Sequence, residues 1–160
     1  MSLTTFAWLG MAAYAFHILE EYALDWRNWA HEVLGLPAEW NDFYVTNCIV
    51  IALGIAQAML AATLPLAPLS FDGLMLINAI FFHITPFIRT GGRFSPGLFT
   101  AIVLFLPVSI AAYWTALSSG VVGSTTVVAS LIVGGLTLAF PIVMLKLKST
   151  PYFRQDKARV

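Results

Sequence analysis

Long runs of apolar residues, separated by short breaks, set the organisation of this chain. A helix that crosses the hydrocarbon core of a bilayer needs about 20 predominantly apolar residues. Five runs reach that length, and turn residues lie between them, as in Leu64–Pro68 and Thr90–Arg93. The pattern predicts five transmembrane helices, over about residues 5–26, 42–64, 70–89, 96–118 and 124–148.

Residues 27–40 are too few and too polar to cross a membrane. Apolar residues such as Trp29 and Leu36 are interspersed with polar ones, which predicts a short helix lying in the membrane interface. This helix should end near Gly35 and Pro37. Residues 149–160 are predicted to form a cytoplasmic tail, so residues 1–160 make up a single membrane domain. The polar residues around this segment that are expected to be solvated are His31, Glu32 and Asp42.

Composition supports a membrane location. Hydrophobic residues make up 59% and charged residues 10% of the 160 residues, and the mean hydropathy is +0.84. A soluble domain is about half apolar and about a quarter charged. The fold class is therefore predicted to be an all-α, polytopic membrane helix bundle, with the lipid bilayer as its main partner. The formal net charge of zero gives no basic surface for nucleic acid. The single cysteine, Cys48, is expected to be a small buried hydrophobe.

The distribution of Lys and Arg predicts the orientation. Met1–Leu9 contains no basic residue and so lacks the charged start of a cleavable signal peptide. With five spans and the N-terminus outside, every basic residue falls on the inner side, as the positive-inside rule requires. The C-terminus is then inside, and the expected location is the inner (cytoplasmic) membrane. The basic residues are Arg27, Arg89, Arg93, Lys146, Lys148, Arg154, Lys157 and Arg159.

The sharpest chemical signal is the segment His17-Ile18-Leu19-Glu20-Glu21. At 100° per residue, Glu20 and Glu21 lie about 60° and 40° to either side of His17, so all three project from one stripe of the first helix. A charged side chain at the centre of a membrane helix costs roughly 2.5–3.5 kcal/mol. Protonation, a basic partner or a bound cation could make the pair of carboxylates tolerable. Ionisable residues at this depth point to a functional site.

A second histidine, His83, is expected at a matching depth in the third helix. His17 lies nine residues before Trp26, and His83 lies six before Arg89, so their depths agree within about 5 Å. Imidazoles and carboxylates are suitable ligands for a divalent metal, zinc or iron. The candidate metal ligands are His17, Glu20, Glu21 and His83.

Other polar residues could support such a site. The candidate catalytic residues are His17, Glu20, Glu21, Asn47 and Arg89. Arg89 could neutralise a carboxylate or bind an anionic group, or simply anchor its helix at the inner surface. Asn78 is expected outside the immediate ligand set, and a contribution from Tyr14 or Cys48 is left open. Three prolines, each predicted to kink a helix and to free a carbonyl one turn back, are Pro86, Pro107 and Pro141.

The residues His17–Glu21, with the later stretch Phe94–Ala101, resemble the HXXEE family of bacterial integral membrane proteins. The stretch reads Phe-Ser-Pro-Gly-Leu-Phe-Thr-Ala, and His83 fits a second family histidine in the third helix. The resemblance covers about residues 10–115. It implies that the histidines and glutamates matter, and it assigns no reaction to them.

Three functions are compatible with these residues. The favoured one is a membrane-embedded, metal-dependent enzyme that acts on a lipophilic small-molecule substrate in the inner half of the bilayer. The second is a metal-free isomerase or cyclase that uses a His–Glu pair for acid–base catalysis. The third is a transporter or a membrane partner subunit, which for so short a chain would require assembly, for example as a homo-oligomer.

Overall fold

The computed structural model describes residues 1–148 and 150–152, and this part of the chain contains helices and no strands. The predicted tail, with Arg154, Lys157 and Arg159, lies outside the described residues except for 150–152. The helices are α1 (Leu3–Ala23), α2 (Trp26–Trp29), α3 (Trp40–Leu60), α4 (Leu66–Arg89), α5 (Leu98–Ser118) and α6 (Ser124–Lys148).

Four of these helices, α3 to α6, are long and apolar enough to cross a membrane. They correspond to the second to fifth predicted spans. The first predicted span is also helical, but α1 is not among the four, and it carries two glutamates and a histidine. It ends at Ala23 and not at Trp26, because Asp25 adopts a left-handed conformation with φ of 58°. The short helix predicted within residues 27–40 is present as α2, which a π-helical turn extends over Ala30–Leu34.

Local sequence sets where the helices begin. The Ser2 hydroxyl accepts from the Thr5 N–H at 3.1 Å and caps α1. Glu39 and Asp42 form a reciprocal capping box at the start of α3. Helix α4 begins earlier than predicted, directly after Pro65, because proline is well tolerated at the start of a helix.

Helix α4 lies at the centre of the bundle and packs against α1, α3, α5 and α6. Helix α1 packs against α3, α4 and α5, so the stripe that carries His17 faces the protein. The main core cluster consists of Ala13, Tyr14, Val50, Phe71, Leu74, Met75, Ala79, Ala101 and Phe105.

The outer surface of the bundle is apolar. Large hydrophobic side chains are exposed along every long helix, for example Phe16 at 60%, Met59 at 74% and Trp114 at 73%. A soluble protein does not expose apolar surface on this scale, whereas lipid covers it at no cost. The protein is a multi-pass membrane protein. The expectation that Cys48 is buried is wrong, since Cys48 is exposed on this surface of α3.

Two ion pairs of basic residues join segments at the ends of the long helices. Arg93 donates to Glu32 and so ties the loop after α4 to the segment after α2. Lys148 lies 2.9 Å from Asp42 Oδ1 and connects the end of α6 to the start of α3. The prediction that Glu32 and Asp42 are merely solvated is therefore incomplete.

Helix α6 approaches α4 at two glycines. A Cβ atom at Gly134 would lie 2.5 Å from the Leu74 N and 2.6 Å from the Ser70 carbonyl oxygen. On the other helix, a Cβ at Gly73 would lie 3.0 Å from the Ser130 carbonyl oxygen. Small residues that allow such a close approach are typical of helix pairs in membranes.

We expect Gly134→Ala to separate α6 from α4, because the added methyl group meets backbone atoms that cannot move independently. The expected loss is about 2–3 kcal/mol of unfolding free energy, measured by unfolding in detergent. Gly135→Ala is the matched control, since a Cβ there meets only the end of the Ile77 side chain, at 3.3 Å. Equal losses in the two variants would contradict the proposed role of Gly134.

Candidate metal centre

Three buried side chains from two helices meet in the interior of the bundle. His17 and Glu21 are four residues apart on α1 and so lie on one face of it. Glu21 Oε1 lies 3.5 Å from His17 Nε2 and 3.7 Å from His83 Nε2, where His83 belongs to α4. Both imidazoles are fully buried, and their ring centroids are 4.8 Å apart. The prediction that the two histidines lie at a common depth is consistent with this contact.

The other nitrogen of His17 is held by a chain of hydrogen bonds that ends at Glu20. His17 Nδ1 lies 2.8 Å from Thr100 Oγ1, which lies 2.6 Å from Glu20 Oε2. The same carboxylate accepts the backbone N–H groups of Phe99 at 3.1 Å and Thr100 at 2.7 Å, at the beginning of α5. An ionised carboxylate is stabilised at such a helix N-terminus. The Thr100 hydroxyl therefore donates to Glu20 and accepts from the Nδ1–H of His17.

His83 is oriented in the same way. Its Nδ1 lies 2.9 Å from Ser95 Oγ, which donates to the Phe82 carbonyl oxygen at 3.4 Å. A π-helical turn, Ala79–Ile84, precedes Pro86. When the Ser95 hydroxyl donates to the Phe82 carbonyl oxygen, it accepts from the Nδ1–H of His83.

These hydrogen bonds determine what the two Nε2 atoms present to Glu21. A neutral imidazole with a proton on Nδ1 has a lone pair on Nε2. Both Nε2 atoms are buried and have no hydrogen-bond partner among the described residues. With both ring protons on Nδ1, two lone pairs and a carboxylate oxygen face one another, with no donor between them among the described residues. A cation or a proton at its centre would stabilise such a buried arrangement.

The spacing fits a metal ion. The three donor atoms lie within 4.8 Å of one another. Tetrahedral ligands at zinc-like bond lengths are about 3.4 Å apart, close to the separations of 3.5 and 3.7 Å from Glu21 Oε1 to the two Nε2 atoms. Those separations exceed the usual hydrogen-bond length of about 2.9 Å. The group of His17, Glu21 and His83 could hold a metal ion.

The loop before α5 closes the site through Gly97. Its φ of 96° suits glycine, and a Cβ atom there would lie 2.5 Å from His83 Cε1 and 2.6 Å from His17 Cε1. Aromatic rings form further walls, since Phe105 lies 4.3 Å from His17 and Trp29 stacks near His83, both measured between ring centroids. The site is therefore enclosed by protein and not by lipid.

A cavity of about 90 Å³ adjoins the site on the side of Glu21. Tyr14, Asn47 and Asn78 bring polar groups to its wall. The Tyr14 hydroxyl donates to Asn47 Oδ1 at 3.4 Å, whereas Asn78 Oδ1 is buried with no hydrogen-bond partner among the described residues. Of the three residues that could hold a metal, Glu21 alone lines the cavity within the described part of the chain.

The comparison with known families identifies the family of this chain. A family model described as "Protein of unknown function with HXXEE motif" matches residues 8–112. The chain belongs to the HXXEE family. No curated protein and no solved structure matches it. The matched region includes the motif, His83 and the Phe94–Ala101 stretch.

The two glutamates of the HXXEE motif have different partners. Glu21 faces both imidazoles, whereas Glu20 binds the start of α5 and acts on His17 through Thr100. Glu20 thus lies outside the group formed by His17, Glu21 and His83.

The remaining candidate residues lie apart from the imidazoles. Asn47 lines the cavity beside Glu21 and donates to the Phe43 carbonyl at 3.0 Å. Arg89 is exposed at the end of α4 and does not line that cavity. His31 is half-buried and its Nε2 lies 2.7 Å from the Ala38 carbonyl oxygen, so it is bound by the protein and is not simply solvated.

Three residues of the site were not among the candidates. They are Ser95 and Thr100, which orient the imidazoles, and Gly97, whose backbone packs against both. All three belong to the stretch that carried the family resemblance. The signal in the sequence that could have identified them is this polar, glycine-containing stretch directly before an apolar span.

We expect Thr100→Val to weaken metal binding by about 10–100-fold, which is the usual effect of removing the partner of a metal-binding histidine. Valine keeps the shape of threonine but removes the hydroxyl between His17 and Glu20. Metal affinity would be measured by competition with a chelator. Thr100→Ser keeps the hydroxyl and should bind almost as tightly as the wild type, and an unchanged affinity in the valine variant would contradict this role.

Proposed function

We propose that this protein is a membrane-embedded, metal-dependent enzyme that acts on a lipophilic substrate, with zinc or iron held by His17, Glu21 and His83. The observation that carries the proposal is the convergence of two buried Nε2 atoms and a carboxylate oxygen, with no hydrogen-bond partner for either Nε2 among the described residues. Two imidazoles and one carboxylate form a ligand set that suits either metal.

The ligand count and the cavity favour catalysis over a purely structural metal. Structural zinc sites use four protein ligands, whereas catalytic sites use three and leave a position open. Here three ligands meet, and Glu21 borders a cavity whose wall includes Tyr14, Asn47 and Asn78. A bound metal would supply Lewis acidity at that open position. Tyr14, Asn47 and Asn78 would orient a substrate by hydrogen bonds, and the apolar walls would exclude water.

In this proposal the protein lies in the inner membrane and crosses it five times. Helix α1 has 21 residues and a length of about 31 Å, which matches the hydrocarbon core. Its outward face is apolar, with Trp8, Phe16 and Leu19 exposed, while His17 and Glu21 face the bundle. The N-terminus is outside and the C-terminus inside, since the described basic residues then lie on the inner side.

Metal content tests this function. The protein, purified in detergent without a histidine tag, should contain about one equivalent of zinc or iron by elemental analysis. His83→Ala should remove the metal, and His31→Ala should retain it because His31 binds the Ala38 carbonyl outside the site. If the folded protein takes up neither metal and the Glu21 carboxylate is protonated, the result would contradict this proposal and favour metal-free acid–base catalysis.

A second measurement separates a catalytic metal from a structural one. Cobalt-substituted protein should change its visible spectrum when a small ligand such as azide is added, because an open position accepts the ligand. A spectrum that does not respond to azide would indicate a closed, structural site and would overturn the assignment as an enzyme.

A further inference from the structure

A groove lies between α3 and α6 on the membrane-facing side of the bundle, with a volume of about 680 Å³. Its walls are largely apolar, with Val45 and Ile49 on α3 and Phe140 and Met144 on α6. The part of α3 that lines it, from Asn41 to Leu53, rises by about 18 Å, more than half of a hydrocarbon core of about 30 Å. These dimensions suit a long hydrocarbon chain.

The groove leads to the cavity beside the metal-binding group. Four residues line both spaces, so the two share a wall: Asp42, Thr46, Pro141 and Leu145. A molecule that lies in the groove can therefore reach towards Glu21 without leaving the protein. Lys148, at the inner end of the groove, is bound to Asp42.

The chemistry of the cavity differs from that of the groove. Asn78 Oδ1 is buried with no hydrogen-bond partner in the part of the chain that the structure describes, which is costly unless a ligand donates to it. Glu21 and Asp42 are the charged residues of the cavity wall, and none of the described residues that line it is Lys or Arg. An anionic head group would find no basic partner there. With a volume of about 90 Å³, the cavity holds only a few non-hydrogen atoms.

We propose that the substrate is a single-chain lipid with a small uncharged head that donates a hydrogen bond, such as a long-chain alcohol or amide. Its tail lies in the groove between α3 and α6, and its head lies in the cavity beside Asn78 and Glu21. This inference rests on the proposed function, because it names the substrate class of the same site. Access is lateral, from the inner leaflet, between two helices.

Photo-crosslinking tests the proposal. The probe is a long-chain primary alcohol with a diazirine in its chain, added to the metal-containing protein in lipid nanodiscs, with labelled peptides mapped by mass spectrometry. The label should concentrate on the groove-lining parts of α3 and α6. A matched probe with a carboxylate head, and one that lacks a polar head, should label these positions less.

Two variants on neighbouring residues make the test specific. Met144→Trp fills the groove and should reduce labelling there about tenfold. Val143→Trp is the matched control, because Val143 is 51% exposed and Met144 48%, yet only Met144 lines the groove. Asn78→Leu should reduce the preference for the alcohol over the headless probe by about tenfold.

Metal content, measured in the same samples, separates the two proposals. Label spread evenly over all lipid-facing helices, equal labelling of the two tryptophan variants, or a preference for the carboxylate probe would overturn the substrate assignment while the metal remains bound. Absence of metal from the wild type would instead overturn the proposed function. Retention of metal in Met144→Trp together with loss of groove labelling is the result expected.

Discussion

Replacing Glu21 by glutamine is expected to lower metal affinity by more than about 100-fold, since loss of an outer partner alone costs 10–100-fold. Glutamine keeps the shape of the side chain but removes the charge that faces His17 Nε2 and His83 Nε2. Affinity would be measured by elemental analysis and by competition with a chelator. The neighbouring variant Glu20→Gln should have a smaller effect, because Glu20 acts on His17 only through Thr100.

In the metal-free form, Glu21→Gln should raise the stability of the protein. A glutamine Nε2–H group can donate to one of the two imidazole lone pairs, which the carboxylate cannot do. A gained buried hydrogen bond contributes about 1 kcal/mol, and in a chain of this size that raises the melting temperature by about 2–4 °C. Calorimetry in detergent after chelation would measure this. Glu32→Gln, on the exposed ion pair with Arg93, should change neither property.

A fall in the melting temperature of chelated Glu21→Gln would show that the carboxylate already has a donor in the metal-free protein. Equal losses of metal from Glu20→Gln and Glu21→Gln would contradict the separate roles of the two carboxylates. Either result would be compatible with the fold and would favour proton transfer between Glu21 and the imidazoles as the role of the site.

Gly97→Ala is expected to disrupt the metal centre and to destabilise the protein by at least about 3 kcal/mol. The new Cβ would lie 2.5 Å from His83 Cε1, 2.6 Å from His17 Cε1 and 3.1 Å from Glu21 Cγ. Both imidazoles are fully buried and held at Nδ1, so neither ring can move away without breaking its hydrogen bond to Thr100 or Ser95. Thermal unfolding and metal content would both be measured.

Gly120→Ala is the control for backbone strain alone. Gly120 also has a positive φ, of 70°, but a Cβ there meets nothing within 4 Å. Its expected cost is about 1 kcal/mol, with metal binding unchanged. Full metal binding by Gly97→Ala would show that the loop before α5 can withdraw, and that the imidazoles are not held between this loop and α4.

Much of the fold followed from the pattern of apolar residues. The lengths of the apolar runs predicted the four long helices α3 to α6, and the end of each was found within a few residues because proline and glycine interrupt helices locally. Cys48 shows the limit of this reasoning. An apolar run does not say which of its faces meets protein and which meets lipid, since both environments accept the same residues.

For the site, the sequence by itself determined that His17, Glu20 and Glu21 share one stripe of α1, because helix geometry fixes the angles between them. It also placed His83 within about 5 Å of the depth of His17, since the rise per residue varies little between helices. The resemblance carried by the motif and by the Phe94–Ala101 stretch identified the family, to which residues 8–112 belong.

Only the tertiary structure decided which glutamate faces the imidazoles, because Glu20 and Glu21 lie at similar angles and differ in what α5 presents to them. The Thr100 N–H and hydroxyl bind Glu20, so Glu21 is left to face His17 and His83. The Glu20–Thr100 contacts join residues 80 positions apart in the chain. No helical period records them, since they depend on how separate helices pack and on the carbonyls and amides that helix ends leave free.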